Sequence, residues 1–291
     1  MRRPYEAAEV PMRIIQISDT HISRRHHPFA ANVQAVRQWL KRTPCDLVVN
    51  TGDLSMNGAV DRDDLLDAAA WHSGLGIPVL AVPGNHDVGD VPELRSDQVL
   101  DDTRLAGYAD IVGEGRWTHD VGGWRLVGIN AMLLGTGHPE EERQFAWLRD
   151  ALRGPAPTAL FLHKPLFIDD PSEGPRGYWT VRPEPRRRLL DILGQADLRL
   201  IASGHLHVAR TQVFDGVPHV WGPSSAFVCG PSQEADIPGE RRIGAVVHDF
   251  DDAGVTSRTV FLDEDGAENL TIDPHLAEIY PAPAADALAP A

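Results

Sequence analysis

The sequence predicts an α/β fold in which helices cover a largely parallel sheet. Short β-rich apolar runs alternate with segments of helical period along most of the 291 residues. Five of those runs end in polar, ligand-type side chains. A composition of 42% hydrophobic and 24% charged residues gives a chain that can bury a sizeable core.

Taken in order, the first strand is expected at 12–18 (MRIIQIS), then a helix over 30–42 and a strand at 46–51 (DLVVNT). A helix at 60–73 leads into a strand at 77–82 (IPVLAV), and the spacing predicts a further helix over 92–106. Residues 117–129 read as a hairpin folded at Gly122–Gly123, followed by a helix over 140–152 and a strand at 158–163 (TALFLH). A helix at 184–194 opens after Pro183 and Pro185 and closes at Gly194, before a strand at 198–203 (LRLIAS). A second hairpin, 208–221, turns at Asp215–Gly216, a strong turn signal. The pair 243–250 and 256–262 closes the ordered region. No internal repeat or linker divides the chain, so one domain is expected over 12–264. The Pro- and Ala-rich stretch 265–291 is expected as a tail, packed on that domain or on a neighbouring subunit of a homodimer.

Composition also excludes. A formal net charge of −15 repels polyanions, so an extended nucleic acid is not an expected partner. Cys45 and Cys229 lack CxxC spacing, which gives neither a disulfide framework nor a thiolate metal site. The N-terminal arginines are followed by no apolar stretch, and no run approaches membrane-spanning length; a cytoplasmic protein without a membrane partner is expected.

The chemistry is concentrated where strands end. IIQISDTH stops at Asp19 and His21, VVNTGD at Asp53, VLAVPGNHD at Asn85, His86 and Asp87, ALFLH at His163, and IASGHLH at His205 and His207. That edge of an α/β sheet is where ligands bind. Glycines at 52, 84 and 204 flank these residues where the backbone must turn sharply or be approached closely. Asp19 and His21 are two residues apart, as are His205 and His207, so an extended backbone would project each pair from one face towards one ion. The set of two carboxylates, one amide and four imidazoles suits divalent manganese, iron or zinc. Seven ligands exceed one tetrahedral ion but serve two if a carboxylate bridges them. Any one block alone is more often a surface turn; five blocks at five strand ends carry the reading.

SDTH, NTGD, PGNHD, the LH before Lys-Pro and GHLH together resemble the signature of the calcineurin-like metallophosphoesterase family, over residues 13 to about 227. The resemblance implies a four-layer α/β/β/α sandwich, two mixed sheets flanked by helices, with a dinuclear metal site at the C-terminal strand ends. It implies that Asp19, His21, Asp53 and His207 hold one divalent ion, and Asp53, Asn85, His163 and His205 the other. His86 matches the family's catalytic histidine. The implied activity is hydrolysis of phosphoesters by a metal-bridging hydroxide.

GDLSMNG and WGPSSAF are similar to the branch with class III cyclic-nucleotide phosphodiesterases and glycerophosphodiesterases. Small phosphodiesters such as 3′,5′-cyclic nucleotides are therefore the expected substrates, with glycerophosphodiesters or phosphomonoesters as alternatives. Where that branch commonly shows a second histidine, this sequence has Lys164, read either as a phosphate contact or as a solvated strand-end lysine. Asn57 is read as a phosphate contact or a turn-shaping residue, and Arg24, Arg25 and His26 as a basic loop offered to an anionic substrate or simply solvated. The aperiodic stretch 167–185 has the composition of a lid, with Tyr178 and Trp179 either stacking on substrate or packing on the domain.

Overall fold

In a computed structural model, the structure describes residues 11–25, 28–94, 98–230 and 237–275. The elements follow as β1 (Met12–Ile17), α1 (Ala30–Arg42), β2 (Leu47–Asn50), α2 (Arg62–Ser73), β3 (Val79–Ala81), α3 (Asn85–Val88) and α4 (Asp102–Ile111). Next come β4 (Trp117–Val121), β5 (Trp124–Gly128), α5 (Pro139–Ala151), β6 (Thr158–Phe161), α6 (Pro183–Leu193) and β7 (Leu198–Ser203). The strands β8 (Arg210–Phe214), β9 (Val217–Trp221), β10 (Gly244–Asp251) and β11 (Gly254–Phe261) complete the order.

Two mixed sheets result, with strand orders β11-β10-β1-β2-β3 and β4-β5-β6-β7-β9-β8. The β1, β2 and β3 strands run parallel in the first sheet, as do β5, β6, β7 and β9 in the second. Alternation along β1 explains the layering. Ile15 and Ile17 face Val36, Trp39 and Leu40 of α1, whereas Ile14 faces Phe161, Leu200 and Val220 of the other sheet. On the far side of the second sheet, Leu160 and Ile201 pack on Phe145 and Leu148 of α5 and Leu189 and Leu193 of α6. Each such buried side chain contributes roughly 1.5–3 kcal/mol. The architecture is the expected α/β/β/α sandwich. Gln16 bonds across the two sheets, donating to Thr51 Oγ1 and to the Ser203 carbonyl.

The helix expected over 92–106 is a correction. Residues 92–94 form a turn, 95–97 lie outside the described residues, and the helix begins at Asp102, because the Asp101 carboxylate caps it by accepting from Arg104 N at 2.8 Å. Backbone bonds from Asp90 N to the Gln98 carbonyl and from Leu100 N to the Asp90 carbonyl tie Asp90 to residues 98 and 100 instead. Both hairpins form where expected; Asp215 (φ 49°) and Gly216 (φ 78°) make the tight turn of the second. Of the tail, Ala267 and Ile272 are buried on the domain, while 276–291 lies outside the described residues. Among the described residues no helix is long and apolar enough to cross a membrane.

His219 on β9 is buried against Phe167, and burial pushes its pKa down to about 4. The unfolded chain, with the ordinary value of 6.5, therefore binds one more proton than the fold between those two values. This contribution to stability is complete above pH 6.5 and falls as pH drops through the window, by about 1.4 kcal/mol per pH unit. His219→Phe is expected to flatten the dependence by about one proton in urea unfolding. An unchanged slope would show that His219 does not set it.

Candidate metal centre

The two sheets pack face to face, and the loops beyond the C-terminal ends of their parallel strands are stitched together by backbone bonds. Past β1 and β2, Asp19 N donates to the Gly52 carbonyl and His21 N to the Asp53 carbonyl, both at 3.0 Å. Within the second sheet Gly204 N, past β7, donates to the His163 carbonyl, past β6, and across the sheets Ser225 N donates to the Ser18 carbonyl. The short helix α3 brings in the remaining block: His86 N donates to Asp53 Oδ1 at 2.8 Å. Asp19, His21, Asp53, Asn85, His86, His163, His205 and His207 all converge there, and all are buried.

They converge by a device the sequence reading did not anticipate. Asp19, His21, Asp53, His205 and His207 have φ of 53°, 41°, 52°, 70° and 53°, so the paired residues do not lie on an extended backbone. Among the described residues the sixth non-glycine with positive φ is Asp215, in its hairpin turn. Each left-handed residue costs about 1–3 kcal/mol and persists where its surroundings over-determine it, as at functional sites. Two glycines permit the approach. A Cβ on Gly84 would lie 2.1 Å from Asp53 Oδ1, and one on Gly204 1.8 Å from Ser18 Oγ.

The donor atoms form two clusters that share one carboxylate. In the first, His207 Nε2 lies 3.3 Å from Asp19 Oδ1 and 3.2 Å from His21 Nε2. In the second, His163 Nε2 lies 3.2 Å from His205 Nδ1 and 3.3 Å from Asn85 Oδ1. Asp53 Oδ2 stands between, 3.7 Å from His21 Nε2 and 3.3 Å from His163 Nε2.

Three of the four ligand imidazoles have their outer ring nitrogen committed, while His21 Nδ1 has no hydrogen-bond partner among the described residues. His163 Nδ1 donates to the Thr51 carbonyl, His205 Nε2 to Tyr178 and His207 Nδ1 to Phe227, at 2.7–2.9 Å. Neutral His205 and His207 then turn acceptors inward beside the carboxylates of Asp53 and Asp19, and Asp19 Oδ1 has no hydrogen-bond partner among the described residues. That arrangement is repulsive without a cation and complementary to one, and ring nitrogens held outward by carbonyls are the usual support of metal-binding histidines. The residues fit two divalent ions.

Without an ion, a proton on His163 offsets the Asp53 charge. Burial would lower the His163 pKa, but the Asp53 carboxylate outweighs it and lifts the ring to about 9. Asp53, which burial would raise, is held well below the usual carboxylate range by His163, His86 and His21. Burial and neighbouring rings hold His21 and His205 well below the usual imidazole value. Burial and Asp53 push Asp87 up to about 6. Asp87 accepts from Leu54 N, Ser55 N, Ser55 Oγ and Gly84 N, clamping the Asp53 loop to α3. The His86 ring is oriented by donation from Nδ1 to the Met56 carbonyl at 2.6 Å.

The residues expected at a substrate are differently disposed. Lys164 is neither solvated nor turned to a phosphate: it is buried, with Nζ 2.7 Å from Asp90 Oδ2. Arg24 bonds to Asp63 and Asp67 on the acidic face of α2 instead of to the centre. Asn57 donates to Asp64, and its carbonyl accepts from Val60 N and Asp61 N, so it shapes its turn. His26 lies outside the described residues. Sequence reasoning missed Asp90, 74 residues from its partner. Lys164→Met strands that carboxylate and is expected to cost about 3–5 kcal/mol, much of it restored by adding Asp90→Asn. Denaturation of the single and double variants checks this; a single variant as stable as the wild type would refute it.

The family of calcineurin-like phosphoesterases matches residues 12–209. A probable cyclic nucleotide phosphodiesterase from Synechococcus is 28% identical over 218 residues, covering 69% of this chain and 75% of its own length. The 3′,5′-cyclic adenosine monophosphate phosphodiesterase CpdA of Escherichia coli K12 is 31% identical over 175 residues, 54% of this chain and 56% of its own. The serine/threonine-protein phosphatase CPPED1 of Danio rerio is 29% identical over 196 residues, 62% and 60%. The match thus spans less than two thirds of the last two. A dimetal phosphatase structure from Danio rerio superposes with a TM-score of 0.58 at 15% identity, over 87% of this chain and 97% of that one, which speaks to the fold. The family match extends over more than half of the chain and through the strand ends that carry most of the clustered ligands, so this chain belongs to the calcineurin-like phosphoesterases, metal-dependent hydrolases of phosphoric esters.

Proposed function

We propose that the chain is a phosphodiesterase of small diesters, with 3′,5′-cyclic nucleotides as the leading substrates. Asp19, His21, Asp53 and His207 would hold one ion, and Asp53, Asn85, His163 and His205 the other. A donor set of nitrogen and oxygen without thiolate suits manganese, iron or zinc. Two ions bound there supply Lewis acidity and an activated water near neutral pH. The chain's own part is to hold the donors outward-supported and dry, and to place His86 beside them. The His86 ring packs edge-on against His21 with centroids 4.7 Å apart. Its Nδ1 donates to the Met56 carbonyl, so it is the protonated ring, with its second proton on Nε2, that would hand a proton to the leaving oxygen or donate to a phosphoryl oxygen.

One observation carries the choice of a diester. The three cations that the sequence sets beside the motifs are each paired: Lys164 with Asp90, Arg24 with Asp63 and Asp67, and Arg25 with Asp61. A diester brings one negative charge where a monoester dianion brings two, so it asks for no further cation. The names of the Synechococcus and Escherichia coli relatives support the same reading. The similarity to CPPED1 favours a phosphomonoesterase as the second reading. Hydrolysis of bis(p-nitrophenyl) phosphate and p-nitrophenyl phosphate by metal-loaded protein separates the two. A clear preference for the diester, followed by turnover of cyclic AMP over glycerophosphodiesters, is expected; a preference for the monoester overturns the proposal.

A further inference from the structure

We infer that Tyr178 is a positioning residue for the second metal centre, holding two of its four ligands and thereby setting its affinity for a divalent ion. The inference rests on the ligand set proposed above. Tyr178 reaches that centre twice. Its phenol oxygen accepts from Asn85 Nδ2 at 2.8 Å, and its backbone carbonyl accepts from His205 Nε2 at 2.9 Å. Its ring also packs on the His205 ring, with centroids 4.7 Å apart.

The bond to Asn85 matters most. An asparagine is the neutral member of the set, and its amide offers an oxygen on one side and two N–H donors on the other. With Nδ2 held at the phenol oxygen, Oδ1 is turned inward, 3.3 Å from His163 Nε2. The reversed amide would aim N–H groups at the ion. The first cluster has no such tie: His207 is held by the Phe227 carbonyl.

Tyr178 can hold these groups because its own segment is fixed. The buried Arg186 donates to the carbonyls of Leu166 and Glu173, and the Glu173 carboxylate accepts from Ile168 N and Asp169 N. Val181 N closes the loop onto the Pro165 carbonyl at 2.9 Å. Lys164, itself anchored by Asp90, places its ammonium 5.4 Å from the Tyr178 ring centre. The stretch that reads as a lid in the sequence is a wall held by its own hydrogen bonds.

Tyr178→Phe deletes one oxygen and keeps the ring and the carbonyl. Metal-free wild type and variant are titrated with Mn²⁺ by calorimetry, with bound manganese counted at fixed free concentration. Wild type is expected to bind two ions. In the variant the affinity of one should fall by about 10–100-fold, the usual cost of losing an outer support of a metal ligand, with the other unchanged. Added Mn²⁺ should restore hydrolysis of bis(p-nitrophenyl) phosphate. His163→Ala identifies the centre: it should leave one ion bound, and adding Tyr178→Phe should then change nothing. Equal affinities in variant and wild type, an equal loss at both ions, or a further loss in the double variant would each overturn the inference. The titration contains no substrate, so its failure leaves the diesterase reading standing, and failure of that reading leaves the titration interpretable.

Discussion

Asp53→Asn is expected to leave a folded protein that retains no more than one tightly held ion and loses activity by on the order of 10²–10³-fold, the scale for deleting one preorganised charge-stabilising group. The substitution is close to isosteric, so shape is preserved and charge is the variable. Asp53 Oδ2 is the atom common to both clusters, within 3.7 Å of His21 Nε2 and 3.3 Å of His163 Nε2. Its other oxygen accepts from His86 N, a bond that an asparagine oxygen also accepts. What disappears is the carboxylate that offsets burial at His163 and about which the inward imidazole nitrogens are gathered. Asp19→Asn makes the control, because Asp19 Oδ1 faces only the His21 and His207 pair. Metal analysis and kcat/KM on a diester decide the matter together. Two ions bound with undiminished turnover in Asp53→Asn would refute the shared role.

The ligand blocks were legible in the sequence because each is local, a few consecutive residues at the end of an apolar run, whereas which carboxylate is shared was implied only by the family resemblance. The alternation of strands and helices exposed five such ends, and the face-to-face packing of the two sheets, which brings the ends of their parallel strands together, explains why they meet. Other features were illegible for physical reasons. The spacing of Asp19 and His21 suggested an extended chain, whereas both residues are left-handed, a conformation fixed by backbone bonds to Gly52 and Asp53 in a different loop. The supports of His163, His205 and His207 are carbonyls of Thr51, Tyr178 and Phe227, and a carbonyl carries no side-chain signature. Lys164 read as a phosphate contact or a solvated lysine because its partner, Asp90, belongs to a loop whose closure is a tertiary event. The false helix over 92–106 followed apolar spacing past the better signal, the cap at Asp101.

His86→Ala should keep both ions and the fold while lowering kcat by about 10²–10⁴-fold, the range for losing a positioned proton donor. The fold should survive because what ties this turn to the centre is main chain and Asp87. The His86 N–H bond to Asp53 persists in alanine, and the four bonds of Asp87 to Leu54, Ser55 and Gly84 are untouched. His86 also lies close enough to His21 and Asp53 for the three to form a possible ligand group, so loss of an ion would make it a ligand instead. If metal content holds, the leaving group separates its two remaining roles. A p-nitrophenolate departs without help, whereas the alkoxide released from a cyclic nucleotide needs a proton. A His86 that protonates the leaving oxygen should therefore be missed far more on cyclic AMP than on bis(p-nitrophenyl) phosphate. A His86 that only bonds a phosphoryl oxygen should be missed equally on both, because that oxygen gains the same charge whichever group leaves.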